Sequence, residues 1–256
     1  MTKIIFFDID GTLIDFGKGA PSPRVVETLN RLQQNGIRIC LATGRCPIII
    51  PDMGGVQFDA CLAFNGSLCF RGDEVIHSNP LLAEDVQTII ENGRRMKRPV
   101  SLATRDRIVA NGNGGDLAEY YRVVKLELKE TPDFDQVIHQ PVYQFMVAAR
   151  PEEYDQLIAG TRNAKIVAWW DRAVDIIPGN GDKGVGIRKI LEYFHIDPKD
   201  AMAFGDGGND IEMLQAVGTG VAMGNAGDKV KAAASQVCAS VSEDGVYSYC
   251  LEHGLI

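Results

Sequence analysis

Two acidic, glycine-containing clusters are the places in this 256-residue chain where chemistry could be done. The first, Asp8-Ile9-Asp10-Gly11-Thr12, follows directly on the apolar run Ile4–Phe7. Positions i and i+2 of a strand share a face, so the two carboxylates leave the strand end toward the same side. Paired carboxylates there suit a hard cation with oxygen ligands, Mg²⁺ foremost. Gly11 permits a tight turn and close backbone approach. A solvated acidic turn is the bland alternative, yet at average composition Asp-x-Asp-Gly-Thr arises by chance in only about one in several hundred chains this long. The second cluster, Gly205-Asp206-Gly207-Gly208-Asn209-Asp210, follows the apolar run 201–204, and its Asp206 could complete the same metal site.

Three further features carry weaker signals. In Ala42-Thr43-Gly44-Arg45, Thr43 offers a hydroxyl and Gly44 an N–H that a phosphate oxygen can approach. Pro47 then fits the first turn of a helix, whose N-terminus favours an anion. Taken alone, Thr-Gly is a commonplace turn. Lys183, at the start of a helical pattern, supplies a compact point charge, although a lone lysine is usually a solvated surface residue. Gly179-x-Gly181-x-x-Gly184 matches the dinucleotide fingerprint, with Asp200 and Asp206 about twenty residues on. Pro178 at the strand end and the motif's late position argue against it.

The elements that must position these residues alternate strand and helix at both ends of the chain. Runs 4–7, 37–42 and 60–64 read as strands, with a helical repeat of Val25, Val26, Leu29 and Leu32 between the first two. Strands separated by helical crossovers make a parallel α/β sheet. The middle differs: a helix over 82–96, a hairpin of 100–104 with 108–111, a strand over 142–149, a helix over 151–160, then strands 166–170 and 173–177. This is an α+β pattern. From Lys183 the first rhythm returns, with a helix to 194, a strand over 201–204, a helix over 210–217 and a strand over 220–223. Turn-rich Asn79-Pro80 and Pro178-Gly179-Asn180-Gly181 mark the junctions. The division expected is a discontinuous α/β core of residues 1–80 and 179–256, with an α+β insert over 81–178.

Composition sets the class of partner. With 45% hydrophobic and 23% charged residues the chain can bury a core. Its net charge of −8 leaves no basic surplus to neutralise nucleic-acid phosphates. No run of about 18 apolar residues exists for a membrane span, and the apolar run near the N-terminus is too short for a signal peptide. Six cysteines contain no C-x-x-C, and Cys40 and Cys61 read as small buried hydrophobes. A cytoplasmic protein is expected, with neither nucleic acid nor membrane as partner.

In order, Asp8-x-Asp10-Gly11-Thr12, Thr43-Gly44-Arg45, Lys183 and Gly205-Asp206-x-x-Asn209-Asp210 resemble the four motifs of the haloacid dehalogenase-like phosphohydrolases. The insert between the second and third motifs resembles the type II, subclass B cap of the Cof-type sugar phosphatases. Phe64-Asn65-Gly66 and Ser242-Glu243-Asp244-Gly245-Val246 resemble the same branch. The resemblance implies a Rossmann-like parallel-sheet core, an α+β cap, and Mg²⁺-dependent hydrolysis of small phosphorylated metabolites such as sugar phosphates. Asp8 would be the nucleophile and form an aspartyl-phosphate. Asp10 would protonate the leaving group and then deprotonate water. Mg²⁺ would be held by the Asp8 carboxylate, the Asp10 backbone carbonyl and Asp206. Thr43, Gly44, Lys183 and Asn209 would hold the phosphoryl oxygens, with Asp210 and Thr12 behind them, Asp210 orienting Lys183 or a metal-bound water. A phosphotransferase or phosphomutase could use the same residues.

Asp10 needs its proton in the first step, which calls for a carboxyl whose affinity for protons is raised by burial and neighbouring carboxylates, against the opposite pull of Mg²⁺. The cap implied by the resemblance closes over the site, so its loops would read the leaving group. Candidate readers are Arg105, Asp106, Arg107, residues 111–116 and residues 169–172. Trp169 and Trp170 are neighbours on a strand and point to opposite faces, so at most one can face the site. Packing is the commoner role for such aromatics, Tyr120, Tyr121 and Tyr143 included.

Overall fold

A computed structural model describes residues 2–123, 126–127, 130–170 and 172–256, with backbone alone at Val123, Trp169 and Trp170. The strands, in chain order, are β1 (Ile4–Phe7), β2 (Arg38–Ala42), β3 (Ala60–Ala63), β4 (Leu68–Arg71), β5 (Glu74–Ser78), β6 (Val100–Ala103), β7 (Ile108–Ala110), β8 (Gln144–Val147), β9 (Ala164–Trp170), β10 (Ala173–Pro178), β11 (Ala201–Gly205), β12 (Thr219–Ala222) and β13 (Gln236–Val237). The chain divides into two compact units. One comprises Met1–Arg45, Ile49–Ser78 and Asp182–Ile256, and the other Cys46–Ile48 and Asn79–Gly181.

The first unit is built on a sheet of order β13-β12-β11-β1-β2-β3-β4-β5. Its strands from β13 to β3 are parallel. All four residues of β1 are fully buried, as the unbroken apolar run requires of a strand covered on both faces. Ile4 and Phe6 pack with Ile187, Ile190 and Leu191 of the helix Lys183–Phe194. Phe7 stacks on Phe204 at 5.3 Å, and Phe204 meets Tyr249 of the helix Gly245–Glu252 edge-on at 5.2 Å. The helix Pro23–Gln34 starts on Ser22, whose side chain accepts from the Val25 N–H, with Pro23 in the first turn.

Two expectations for this unit need correction. The sheet is not parallel throughout, because β4 runs antiparallel to β3 and β5 antiparallel to β4. Gly72-Asp73 alone joins β4 to β5, too short for a crossover, and Gly72 takes the left-handed conformation of a tight turn. After β2 the expected α-helix is absent. Pro47–Ile49 forms one 3₁₀ turn, and the chain beyond it meets Pro51 and the left-handed pair Gly54 and Gly55, which cannot continue a helix. The anion-favouring helix N-terminus inferred from Pro47 is therefore not part of this site.

From β1 the chain builds outward through β2 and β3 on one side, then returns at β11 on the other. The carboxyl ends of β1 and β11 thus flank the point where strand order reverses, where open α/β sheets take their ligands.

The second unit carries an antiparallel sheet of order β7-β6-β8-β10-β9. The helix Ala83–Arg95 buries Val86, Ile89 and Ile90 in a core shared with Val100, Leu102, Phe145, Val174 and Ile176. The helix expected over 151–160 reduces to a 3₁₀ turn, Pro151–Glu153, and the single turn Tyr154–Leu157. Because β10 is antiparallel to both neighbours, Gly179, Gly181 and Gly184 do not lie in the βαβ unit that dinucleotide binding needs. Among the described residues no helix is long and apolar enough to cross a membrane.

Candidate active site

β1 delivers Asp8 and β11 delivers Asp206 to the same sheet end, and the helix after β11 brings Asp210. Ligand oxygens of these three carboxylates lie within 4.8 Å of one another. Lys183 enters from the first turn of its helix, anchored by Asp182, whose side chain accepts from the Val185 N–H at 2.8 Å. Its Nζ, fully buried, donates to Asp8 Oδ1 and Asp210 Oδ1, each at 2.6 Å. Asp210 Oδ2 in turn accepts from the Asp206 and Gly207 N–H groups at 2.9 Å. Both oxygens of Asp210 are engaged with the chain itself.

The electrostatics follow from this crowding. Burial would lower the Lys183 ammonium, but Asp210 and Asp8 outweigh it and hold the group above its ordinary value, so it stays charged. Burial first, with Asp210 and Asp206 adding to it, pushes the Asp8 carboxyl well up against the pull of Lys183. Burial and Asp210 push Asp206 up to about 7. Fully ionised, three carboxylates facing one ammonium would carry a twofold negative excess, all on hard oxygen donors, which a bound cation would offset. That donor set fits a divalent cation such as Mg²⁺.

Asp206 is held on three sides. Thr12 Oγ1 donates to its Oδ1 at 3.3 Å and Asn225 Nδ2 to its Oδ2 at 3.1 Å. Asn225 Nδ2 also reaches the Gly11 carbonyl at 2.9 Å, and its Oδ1 accepts from the Val241 N–H. Gly11 has φ +87°, and a Cβ there would lie 2.2 Å from Asp206 Oδ2. The glycine thus serves both the turn and the close approach of Asp206.

Asp10 sits differently from its expected place. β1 ends at Phe7, and beyond it Asp10 remains near enough for its charge to act on Asp206 and for Asp8 to act on Arg45. The Asp10 carboxylate turns to Arg45 in a two-point pair, Nε to Oδ2 at 2.8 Å and Nη2 to Oδ1 at 2.7 Å. Arg45 Nη1 is fixed by the Ile49 carbonyl at 2.9 Å. The Asp10 side chain is 41% exposed, so the burial expected of it is not found, although Asp206 is a neighbour.

Thr43, Gly44 and Asn209 gather around Asn65. The Asn65 N–H donates to the Thr43 carbonyl at 3.0 Å, and Asn209 Nδ2 donates to Asn65 Oδ1 at 2.9 Å. A Cβ on Gly44 would lie 3.0 Å from Asn65 Nδ2. Thr43 Oγ1 accepts from the Arg45 N–H at 3.1 Å. The structure therefore brings together Asp8, Thr12, Lys183, Asp206 and Asp210 in one cluster and Thr43, Gly44 and Asn209 around Asn65. The pairing roles of Arg45 and Asn225 had no signal in the chain's local pattern.

In the second unit, most candidate readers are engaged with their own neighbours. Arg107 forms a two-point pair with Asp133, Asp106 accepts from Thr104 Oγ1, and Asn111 Oδ1 accepts from the Val100 N–H. Arg172 pairs with Glu119 and Asp116 with Arg98. Tyr120 and Tyr121 are buried packing residues whose hydroxyls donate to Asp175 and Ser101, and Tyr143 is buried as well. The side chains of Trp169 and Trp170, and Asp171 entirely, lie outside the described residues.

Known proteins share this architecture along its whole length. YkrA of Bacillus subtilis, whose name proposes a phosphatase, is 32% identical over 100% of this chain and 99% of its own. The pyridoxal phosphate phosphatase YbhA of Escherichia coli is 26% identical over 98% of each chain. The solved structure of the subclass IIB sugar phosphatase BT4131 superposes with a TM-score of 0.89 at 31% identity, covering 100% of both chains. Residues 5–249 match the sequence profile of the haloacid dehalogenase-like hydrolases. The chain belongs to that family.

Proposed function

We propose that this haloacid dehalogenase-like phosphatase hydrolyses small phosphorylated metabolites, sugar phosphates foremost, with Mg²⁺ and through an aspartyl-phosphate on Asp8. The observation that carries the reading is the cluster of Asp8, Asp206 and Asp210 around one buried lysine at the reversal point of the sheet. Relatives named for pyridoxal phosphate and sugar phosphates support the substrate class. Buried thiols at Cys40, Cys61 and Cys69 suit a reducing cytosol.

In the first step an Asp8 oxygen attacks phosphorus, the ester P–O bond breaks, and the leaving alkoxide takes a proton from Asp10. In the second, water attacks the same phosphorus, passes its proton to Asp10 and releases the Asp8 oxygen. Lys183 holds Asp8 in line and offsets the repulsion between two anions. Thr43, the Gly44 N–H and Asn209 hold the phosphoryl oxygens. Asp8 and Asp206, with the Asp10 backbone carbonyl, would hold Mg²⁺, which when bound neutralises charge on the transferring group. Leaving-group recognition is assigned to residues 79–181, acting as a cap.

A phosphate-release screen over a panel of phosphorylated metabolites tests the reading directly. EDTA treatment should abolish release and added Mg²⁺ restore it; undiminished hydrolysis by metal-free protein would refute the metal's part.

Arg45 is assigned to hold the Asp10 carboxylate between turnovers; the pair opens and Asp10 takes up a proton from solvent before it protonates the leaving group. Arg45→Ala should lower kcat by about 10²-fold, the scale of a misplaced reacting group. The half-exposed pair contributes no more than about 1 kcal/mol, so thermal unfolding should barely move. A kcat equal to wild type would remove Arg45 from the scheme.

A further inference from the structure

Phe64, Asn65 and Gly66 follow one another at φ 51°, 52° and 97°. For a bulky aromatic such as Phe64 this region is an outlier, and strain of this kind costs about 1–3 kcal/mol per residue unless the surroundings impose it. Here they do. The Phe64 N–H is tied to the Arg45 carbonyl at 3.2 Å and the Asn65 N–H to the Thr43 carbonyl at 3.0 Å. Gly66 is pressed against the Asp182 carbonyl, which a Cβ would approach to 2.1 Å. The turn is thereby wedged between the Thr43-Gly44-Arg45 turn and the start of the Lys183 helix.

Its product is the placement of one amide. Asn65 is 3% exposed, and its Oδ1 is committed to Asn209 Nδ2. Its own Nδ2 lies beside the Gly44 Cα and has no acceptor among the described residues. Two residues on, Ser67 Oγ is sealed from solvent without a partner; Asn65 Nδ2 is not sealed. Open to solvent beside Gly44 and Asn209, this N–H is placed to meet an acceptor that enters from outside the chain.

We propose that Asn65 binds the phosphoryl group directly, its Nδ2–H donating to a phosphoryl oxygen while its Oδ1 aligns the Asn209 amide beside it. This rests on the phosphatase reading above. It also gives Gly44 a second reason to be glycine, since a Cβ at 3.0 Å would crowd the Asn65 amide and displace it.

Two variants test it without disturbing the left-handed backbone. Asn65→Asp keeps that conformation and the acceptor for Asn209 but replaces the N–H donor with an oxygen. Asn65→Gly keeps the conformation and removes the side chain. Both should lose about 10²–10³ in kcat/KM toward p-nitrophenyl phosphate, the scale of one lost oxyanion donor. The inhibition constant of inorganic phosphate, with Mg²⁺ present, should rise at least about tenfold, more in Asn65→Asp than in Asn65→Gly. A folded variant that keeps wild-type kcat/KM and wild-type phosphate inhibition would overturn the proposal. Independently of any variant, the Asn65 side-chain amide resonance of the wild-type protein should shift on titration with phosphate, and an unmoved signal at saturation would also overturn it. The failure of the phosphatase reading is separately visible, as a wild type that hydrolyses no member of the panel or an Asp8→Asn that matches it.

Discussion

Asp8→Asn should release no phosphate above background from any substrate that the wild-type protein hydrolyses. The loss expected is on the order of 10⁶, the scale at which removal of a covalent nucleophile acts in other hydrolases. An amide of the same shape leaves phosphorus without an attacking oxyanion, so neither step of the scheme can begin. The fold should survive. Lys183 would keep Asp210 at 2.6 Å, and β1 ends before position 8, so sheet pairing is untouched. A rapid-quench search for acid-stable, hydroxylamine-sensitive phosphate on the protein should detect it in wild type and not in the variant. Near wild-type turnover, with intact mass excluding deamidation, would end the nucleophile assignment.

Lys183→Met should unfold the first unit well below the wild-type temperature. The ammonium is fully buried and serves two carboxylates at once. Removing it strands both, and breaking a buried pair from one side costs about 3–5 kcal/mol. For a domain this size each kcal/mol moves Tm by about 2–4 °C, which puts the drop at roughly 6–20 °C. Asp210→Asn added to Lys183→Met should recover part of that loss, because one stranded charge is gone. Calorimetry of the three proteins at one pH checks both points. Equal Tm for wild type and Lys183→Met would mean that the buried cluster contributes nothing to folding.

The residues that carry charge at the sheet end were readable because they sit where local patterns change. Asp8 follows an unbroken apolar strand, and Asp206 follows another before glycines and a helix. What could not be read is pairing. Arg45 and Asp10 are 35 positions apart, Asn65 and Asn209 144, and Asn225 and Gly11 214. No periodicity in a short window specifies such partners. The same limit explains Asp10. Its spacing from Asp8 carries no sign of the two-point pair with Arg45. The hairpin β4–β5 escaped for another reason: its signal is a short run on each side of Gly72-Asp73, beside a stretch whose parallel rhythm suggested helices. The α-helix expected after Arg45 was lost to Pro51, Gly54 and Gly55, residues visible in the sequence but outweighed there by Pro47.

The interruption of the first unit by residues 79–181 has a consequence for biosynthesis. Asp8 and Lys183 are separated by 175 positions, so at about 5–20 residues per second the ribosome delivers the lysine roughly 10–35 seconds after the aspartate. The intervening unit, whose sheet pairs only within itself, can be complete while β1 still lacks β11. Throughout that interval the apolar β1 has one open edge and the nascent chain holds one of the cluster's three carboxylates without its lysine. Catalytic competence therefore arrives last, and a ribosome stalled before β11 would carry a finished inner domain on an unclosed sheet.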